Sequence, residues 1–387
     1  MLVIEASKSA FYRGSAVAAC LAAAGLVSGT SASAQLSQPW TWCVNKEKAS
    51  PDVQIKGCTS VIGSGKETPK NLSVAYNNRG NGYRTKGDND RAIADYNESI
   101  RLDPNYAYPY NGRGNLYFDK KDYDRAIAEY NEAIRLDAKY AAAFNNRGLA
   151  YSRKSDYDRA IADYSDAIRV DPKYAVAYDN RGDAYRGKRD YDRAAADYSE
   201  AIRIDPKYAV AYNDRGDTYR LKGDNDRAIA DYEEALRLDP KYAAALNNQS
   251  TAYENKGQYD RAVAGYDQLV EMQPANANWW NYRCWDRAIL GRLEAALTDC
   301  NESLRLRPND GGTLDSRGLA YLKLGQLEKA IADYDAALKT NPELASSLYG
   351  RGTAKLKKRD STGAADITAA KAIKSGIAED YAKYGVK

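Results

Sequence analysis

Histidine is absent from all 387 residues. That excludes a histidine general base, a Ser-His or Cys-His nucleophile, and the commonest metal ligand. Carboxylate or lysine chemistry is left, so the absence weakens the case for an enzyme without closing it. A large charge of one sign is also missing. The formal net charge is +4, too balanced to mark nucleic acid or a membrane surface as the main partner. Long apolar runs are missing too. Ser15–Val27 is apolar but short for a bilayer, and no other run is long enough for a transmembrane segment in the mature chain.

That short run has the setting of a secretory signal. Lys8 and Arg13 give a basic start, and Ala32-Ser33-Ala34 supplies an A-x-A cleavage site before Gln35. Residues 1–34 are therefore expected to be a signal peptide cleaved after Ala34, with the mature chain secreted or periplasmic. Val17-Ala18-Ala19-Cys20 looks like a lipobox, but the apolar core continues past Cys20, where a lipobox should close it. Loss of Lys8, Arg13 and Glu5 leaves a mature net charge of +3.

What the chain has in abundance is repetition. Arg-Gly recurs at 79, 113, 147, 181, 215, 317 and 351, always 34 residues apart or a multiple of it. Gln249-Ser250 and Arg283-Cys284 fill the missing registers. Nine repeats follow: 73–106, 107–140, 141–174, 175–208, 209–242, 243–276, 277–310, 311–344 and 345–378. Counting from the first residue of each, position 4 is Tyr76, Tyr110, Phe144, Tyr178, Tyr212, Leu246, Trp280, Leu314 and Leu348. Glycine holds position 8 in most repeats, alanine always holds position 20, tyrosine position 24 in most, and proline position 32 in most. Apolar residues at 4, 8 and 11, and again at 20, 24 and 27, have helical spacing. A turn such as Lys86-Gly87-Asp88 separates the two sets, and the proline stops the second helix.

This pattern resembles the tetratricopeptide repeat family, over about four fifths of the chain. The resemblance implies an all-α, right-handed superhelical solenoid of stacked antiparallel helix pairs with a concave groove. The physics agrees, because one helix pair cannot bury its own apolar face and a stack can. Glycine at 8 and alanine at 20 suit the closest crossing of the two helices. Tyrosine suits a thin layer, because its ring is buried while its hydroxyl reaches water or a partner.

One departure from the family is systematic. Position 7, often apolar there, is arginine here, and position 23 is acidic in the same repeats: Arg79 with Asp95, Arg113 with Glu129, Arg147 with Asp163, Arg181 with Asp197, Arg215 with Asp231, Arg283 with Asp299, Arg317 with Asp333. Where the arginine is lost, at Gln249, the acid is lost too, at Gly265. This predicts an ion pair between the helices of each repeat. The ninth repeat is expected to break the rule, with Arg351 facing Ile367.

The mature chain keeps Cys43, Cys58, Cys284 and Cys300. Cys284 and Cys300 stand at positions 8 and 24, on facing sides of two helices. "VQIKGCTSVI" (Val53–Ile62) aligns with "RAIADYNESI" (Arg91–Ile100), which puts Cys58 at position 24 as well. Residues 35–72 therefore read as a degenerate N-terminal capping hairpin, and disulfides Cys43–Cys58 and Cys284–Cys300 are expected in an oxidising compartment. No C-x-x-C motif supports a redox role. Residues 379–387 are expected to form a C-terminal capping helix. Lys355, Lys357, Lys358 and Arg359 form a basic cluster nearby, either a solvated end face or an anchor for an anionic polymer or membrane surface.

Asparagine is a poor helix former, because its side chain competes for backbone bonds. Yet position 5 is Asn77, Asn111, Asn145, Asp179, Asn213, Asn247, Asn281 and Asp315, and position 6 adds Asn78, Asn146, Asn180 and Asn248. At 100° per residue, positions 2, 5, 6, 9 and 13 lie opposite the packed face. In the resembled family that side lines the groove. Asparagine offers a donor and an acceptor and can match a peptide backbone of any sequence. These residues are expected to hold an extended segment of another protein, unless asparagine is merely a polar residue copied by duplication. Asp179, Asp183, Asp214 and Asp217 make the middle of the groove acidic, with Arg186 and Arg220 on its flank, which suits a segment carrying basic residues. The family's carboxylate clamp is not visible: position 2 is Val74, Tyr108, Ala142, Val176, Val210 and Ala244.

The expectation is a non-catalytic scaffold with no cofactor and no metal site. The alternative is an adaptor of envelope polysaccharide or secretion machinery. Its oligomeric state and partner are not written in the sequence.

Overall fold

The structure, a computed structural model, describes residues 36–45 and 48–386. The expected signal peptide and its cleavage site lie outside them. Among the described residues there are 21 helices and no strand. The chain divides into two compact units, Met1–Thr218 and Tyr219–Lys387.

The N-terminal unit opens with α1 (Gln38–Cys43) and α2 (Pro51–Gly63), joined by a Cys43–Cys58 disulfide. Helix pairs follow: α3 (Pro69–Thr85) with α4 (Asn89–Leu102), α5 (Ala107–Asp119) with α6 (Tyr123–Leu136), α7 (Ala141–Arg153) with α8 (Tyr157–Val170), α9 (Ala175–Gly187) with α10 (Tyr191–Ile204), then α11 (Ala209–Leu221). The first helix of repeat one starts at Pro69, four residues before the drawn boundary. Thr68 caps it through Asn71 N, and proline at its first position needs no donor.

The C-terminal unit continues with α12 (Asn225–Leu238), then pairs α13 (Ala243–Asn255) with α14 (Tyr259–Met272), α15 (Ala277–Ile289) with α16 (Leu293–Leu306), α17 (Gly311–Lys323) with α18 (Leu327–Thr340), and α19 (Ala345–Lys357) with α20 (Gly363–Ile373). It ends in α21 (Ile377–Lys383). A second disulfide joins Cys284 of α15 to Cys300 of α16.

Three sequence columns write each hairpin. Position 15 is left-handed in every repeat, whether it is glycine (Gly87, Gly223, Gly257, Gly291, Gly325) or Lys121, Ser155, Arg189 and Arg359, so the turn imposes that conformation on side chains that resist it. Position 16 caps the second helix: Asp88, Asp122, Asp156, Asp190 and Asp224 each accept from the backbone N–H three residues on. Positions 8 and 24 close the pair. A Cβ added at Gly80, Gly114 or Gly148 would lie 2.6–2.8 Å from Cε1 of Tyr96, Tyr130 or Tyr164. Glycine is therefore needed because a fully buried tyrosine ring lies flat against its helix.

The expected ion pairs are present in both units. Arg147 Nε and Nη2 donate to Asp163 at 2.9 and 2.6 Å, and Arg283 grips Asp299 in the same two-pronged way. Each arginine also reaches back one repeat to position 25: Arg147 Nη1 to Asn131, Arg181 to Ser165, Arg317 to Asn301. Its guanidinium lies over the position 4 ring, as Arg147 over Phe144 and Arg283 over Trp280. The arginine thus ties three helices together, and sequence spacing showed just one of those ties. Repeat nine departs from the expectation that Arg351 faces Ile367. Arg351 pairs with Asp366, one residue earlier, and with Asp335. The reason is the missing tyrosine at position 24, Thr368. Here α19 and α20 meet through Gly352 and Gly363, so closely that a Cβ on Gly352 would lie 2.7 Å from Gly363 O.

Candidate partner-binding face

Successive first helices touch each other within the N-terminal unit, and this decides where the position 5 residues sit. Asn77, Asn145 and Asn213 are each 1 % exposed and Asp179 is 0 %. Asn111 and Asp217 are also buried, whereas Asp183, Asn247 and Asn281 are half-buried. The expected open row is therefore largely covered by the next repeat, because small residues at 8 and 20 let the repeats stack closely. The amides are used between repeats. Asn146 donates to Asn111 Oδ1 at 2.9 Å and to Asn115 Oδ1 at 3.2 Å; Asn180 donates to Asn145 Oδ1 at 2.8 Å. In the C-terminal unit Ser316 donates to Asn281 Oδ1 at 2.8 Å, and Ser346 and Ser347 both donate to Asp315. At Asn111, Asn145, Asn281 and Asp315, position 5 is an acceptor that the next repeat satisfies. Position 9 does similar work within a repeat: Tyr96, Tyr130 and Tyr198 hydroxyls donate to Asn81, Asn115 and Asp183.

The acidic middle has a different arrangement from the one expected. Carboxylate oxygens of Asp179, Asp183 and Asp214 lie within 4.8 Å of one another. Arg186 is not on their flank but among them, 2.8 Å from Asp183, 3.1 Å from Asp217 and 3.6 Å from Asp214. Burial opposes its charge, yet Tyr198 and these three acids hold its pKa well above the ordinary arginine value. The positive charge that three converging carboxylates call for is thus supplied from within. Tyr208 donates to Asp179 at 3.2 Å.

A second acidic pair escaped the sequence reading. Asp286 is fully buried on α15, beside Glu254 of α13, whose other partner is the Tyr266 hydroxyl at 2.7 Å. Burial, and then the charge of Glu254, pushes the Asp286 carboxyl far up from the ordinary range. The pair is satisfied by one shared proton, Asp286 donating to Glu254. The signal was available: Asp286 stands at position 10, otherwise small or apolar (Gly82, Leu116, Ala150, Ala184, Thr218, Ala252, Ala320, Ala354).

The basic cluster at the end is partly neutralised. Lys355 donates to Asp366, and Lys358 pairs with Glu328. Among the described residues no helix is long and apolar enough to cross a membrane.

Family profiles described as TPR repeat match residues 80–121, 114–155, 182–219, 216–257 and 318–358, and tetratricopeptide repeat profiles match 141–174 and 247–311. The chain belongs to the tetratricopeptide repeat family. Among solved structures, the C-terminal part of a TPR repeat-containing protein from Cytophaga hutchinsonii is similar at 17 % identity and a TM-score of 0.51, covering 62 % of this chain and 98 % of that one. MamA is 32 % identical over 42 % of this chain and 96 % of its own, with a TM-score of 0.39. YrrB, described as a TPR protein with an unusual peptide-binding site, is 24 % identical over 49 % of this chain and 95 % of its own, with a TM-score of 0.39. No curated protein sequence matches significantly. As a tetratricopeptide repeat protein, the chain is of a kind that generally serves as a non-catalytic scaffold for protein interaction. The struts at positions 5, 6, 7 and 9 describe how this member stiffens its stack.

Proposed function

We propose that this protein is a secreted or periplasmic scaffold that takes an extended segment of another protein along its first-helix face. The observation that carries the reading is the polar row itself. Several side chains at positions 5 and 9, Asn281 and Asp183 among them, are fixed by bonds between and within repeats, so a partner meets groups whose ordering cost is already met. The half-buried members, Asn247, Asn281 and Asp183, make the contact. Asn77, Asn111, Asn145, Asp179, Asn213 and Asp217 are buried and stiffen the N-terminal unit. Secretion is supported by the signal-like N-terminus and by two disulfides, which persist in oxidising compartments. The alternative, an adaptor on an anionic polymer or membrane surface, has less support, since Lys355 and Lys358 of its basic cluster are already paired.

A photo-crosslinker at Asn247 in living cells tests the reading. A recurrent protein partner, lost when Asn247 and Asn281 become alanine, supports it. Capture from Lys357 instead, with none from Asn247, would move the assignment to the alternative. Finding the mature N-terminus elsewhere than Gln35, or the protein in the cytoplasm, would remove the secretion claim.

A further inference from the structure

The last segment of the chain packs on repeat nine but leaves part of its outer edge open. A cap should cover the outer edge of repeat nine, yet Leu356 and Ile373 stay 42 % and 50 % exposed. The helix Ile377–Lys383 lies against both helices of repeat nine, and Tyr384, just past its end, reaches first-helix residues of repeats seven and eight. Four of the residues this segment meets stand at positions opposite the packed face, while Tyr334, at position 24 of repeat eight, lies against Tyr381 from the packed side. The Tyr381 hydroxyl donates to Ser346 O (position 2) at 2.7 Å. The Tyr381 ring packs on Tyr349 (position 5), with centroids 4.8 Å apart. The Tyr384 ring meets Trp285 (position 9) edge-on at 5.5 Å. Lys323 (position 13) donates to Tyr384 O at 2.6 Å.

Lys323 shows how this face grips a chain. Its ammonium also donates to Ala288 O and Ile289 O, the last carbonyls of α15, both at 2.8 Å. Among the described residues it pairs with no carboxylate. Three carbonyls therefore hold one half-buried charge, and one of the three belongs to the docked segment. A main-chain carbonyl carries no sequence, so sequence is read by the two aromatic rings, spaced three residues apart on one side of a helical turn. Gly385, left-handed at φ +78°, then turns Val386 onto the core.

We propose that Ile377–Val386 occupies, in the free protein, the very face on which repeats seven to nine receive a partner, and that the partner is a helical segment with aromatic residues at i and i+3 that displaces it. The inference rests on the reading of a first-helix binding face and, at its C-terminal end, replaces the extended segment by a helical one. An attached segment competes at a high effective concentration, so the intact chain binds a free copy weakly.

The test uses full-length protein and a synthetic peptide of residues 375–387. Tyr384→Ala weakens the chain's own segment at its half-exposed ring, where loss of fold is not expected. Hydrogen exchange at 377–386 should rise in this variant while repeats one to six keep their protection. The peptide should then bind it at least tenfold more tightly than it binds wild type, with Trp285 fluorescence as the readout. Adding Lys323→Met should reverse that gain. A peptide with both tyrosines replaced by alanine should not bind either protein. If exchange rises but the peptide still fails to bind, the segment is an ordinary piece of core and the proposal is wrong. If exchange does not rise, Tyr381→Ala is added to release the segment, and the same binding comparison decides. Crosslinking from Asn247 reports separately: a captured partner with no peptide binding overturns this inference alone, whereas peptide binding with no captured partner leaves it standing and removes the broader one.

Discussion

The repeats of the N-terminal unit are near-copies; those of the C-terminal unit are not, and the two meet the same packing problem differently. In the copies, glycine at position 8 makes room for tyrosine at position 24, and arginine at 7 grips the acid at 23. Repeat six exchanges these sizes. Ser250 replaces the glycine, Gly265 replaces the acid, and a Cβ on Gly265 would lie 2.2 Å from Ser250 Oγ. The space moved from one helix to the other, and arginine and acid left together. Repeat seven replaces the ring-on-glycine contact with a covalent one, Cys284–Cys300. What the solenoid requires is a close crossing of two helices; the chemistry that achieves it is exchangeable, provided both partners change.

The sharpest way to break this comparison is to change one partner. Arg147→Gln leaves Asp163, 4 % exposed, without its cation. Losing one side of a buried pair costs about 3–5 kcal/mol, and the lower end is expected because the Arg147 side chain is 20 % exposed. The repeat-six triple, Arg147→Gln with Gly148→Ser and Asp163→Gly, should recover most of that loss in chemical denaturation. A triple as unstable as the single variant would show that repeat six depends on its neighbours and not on a local exchange.

The covalent version comes next. Cys284→Ser with Cys300→Ser removes a cross-link spanning 16 residues, worth roughly 3 kcal/mol for a loop of that size. Dithiothreitol should lower the stability of a Cys43→Ser, Cys58→Ser variant by a similar amount and leave a Cys43→Ser, Cys58→Ser, Cys284→Ser, Cys300→Ser variant unaffected. Equal stability with and without reductant would place the close crossing of repeat seven on packing alone.

The buried acids of the C-terminal unit should then separate the two units by pH. Burial pushes Asp315 up to about 6 from a model-peptide value of 3.8, and Asp286 is raised further. A folded form that holds a proton which the unfolded chain releases gains stability as pH falls. For Asp315 the gain develops between about pH 6 and pH 4; for Asp286 stability is lost progressively as pH rises above 4. Asp286→Asn supplies a permanent donor to Glu254. It needs no proton that an unfolded aspartate would release, so it should stabilise the protein at pH 8 and flatten the pH dependence seen in hydrogen exchange of α13 and α15. A destabilised Asp286→Asn would mean that the carboxyl is needed ionised.

The columns that recur made the fold legible. Gly148, Ala160 and Tyr164 each stand in a column where one local contact decides the residue, so nine registers voted for the same hairpin. The face was legible only in part. Helical spacing put Asn145 on an open side, but the next repeat's first helix buries it, at a distance that no single repeat encodes. Arg147 to Asn131 and Asn180 to Asn145 are contacts between registers, hidden for the same reason. Asp286 is a single departure and Lys323 stands in a column without a consensus, and periodicity averages such residues away. The docking of Tyr381 and Tyr384 depends on where a short last helix turns back, which no column describes.

The smallest expected effect bears most directly on function. Asn180→Ala removes a donor to Asn145 in the N-terminal unit, and one buried neutral hydrogen bond is worth about 1 kcal/mol. Asn247→Ala, at a half-buried position of the C-terminal unit, should change stability by less than roughly 0.5 kcal/mol, as surface changes usually do. Partner capture should respond in the opposite order: unchanged in Asn180→Ala while the fold holds, and reduced in Asn247→Ala. Asparagine would then serve one unit as a strut and the other as a contact, and its repetition along the chain would reflect stacking more than recognition. Equal loss of capture in both variants would mean that the row acts as one ladder, with the buried amides reaching the partner after a rearrangement of the stack.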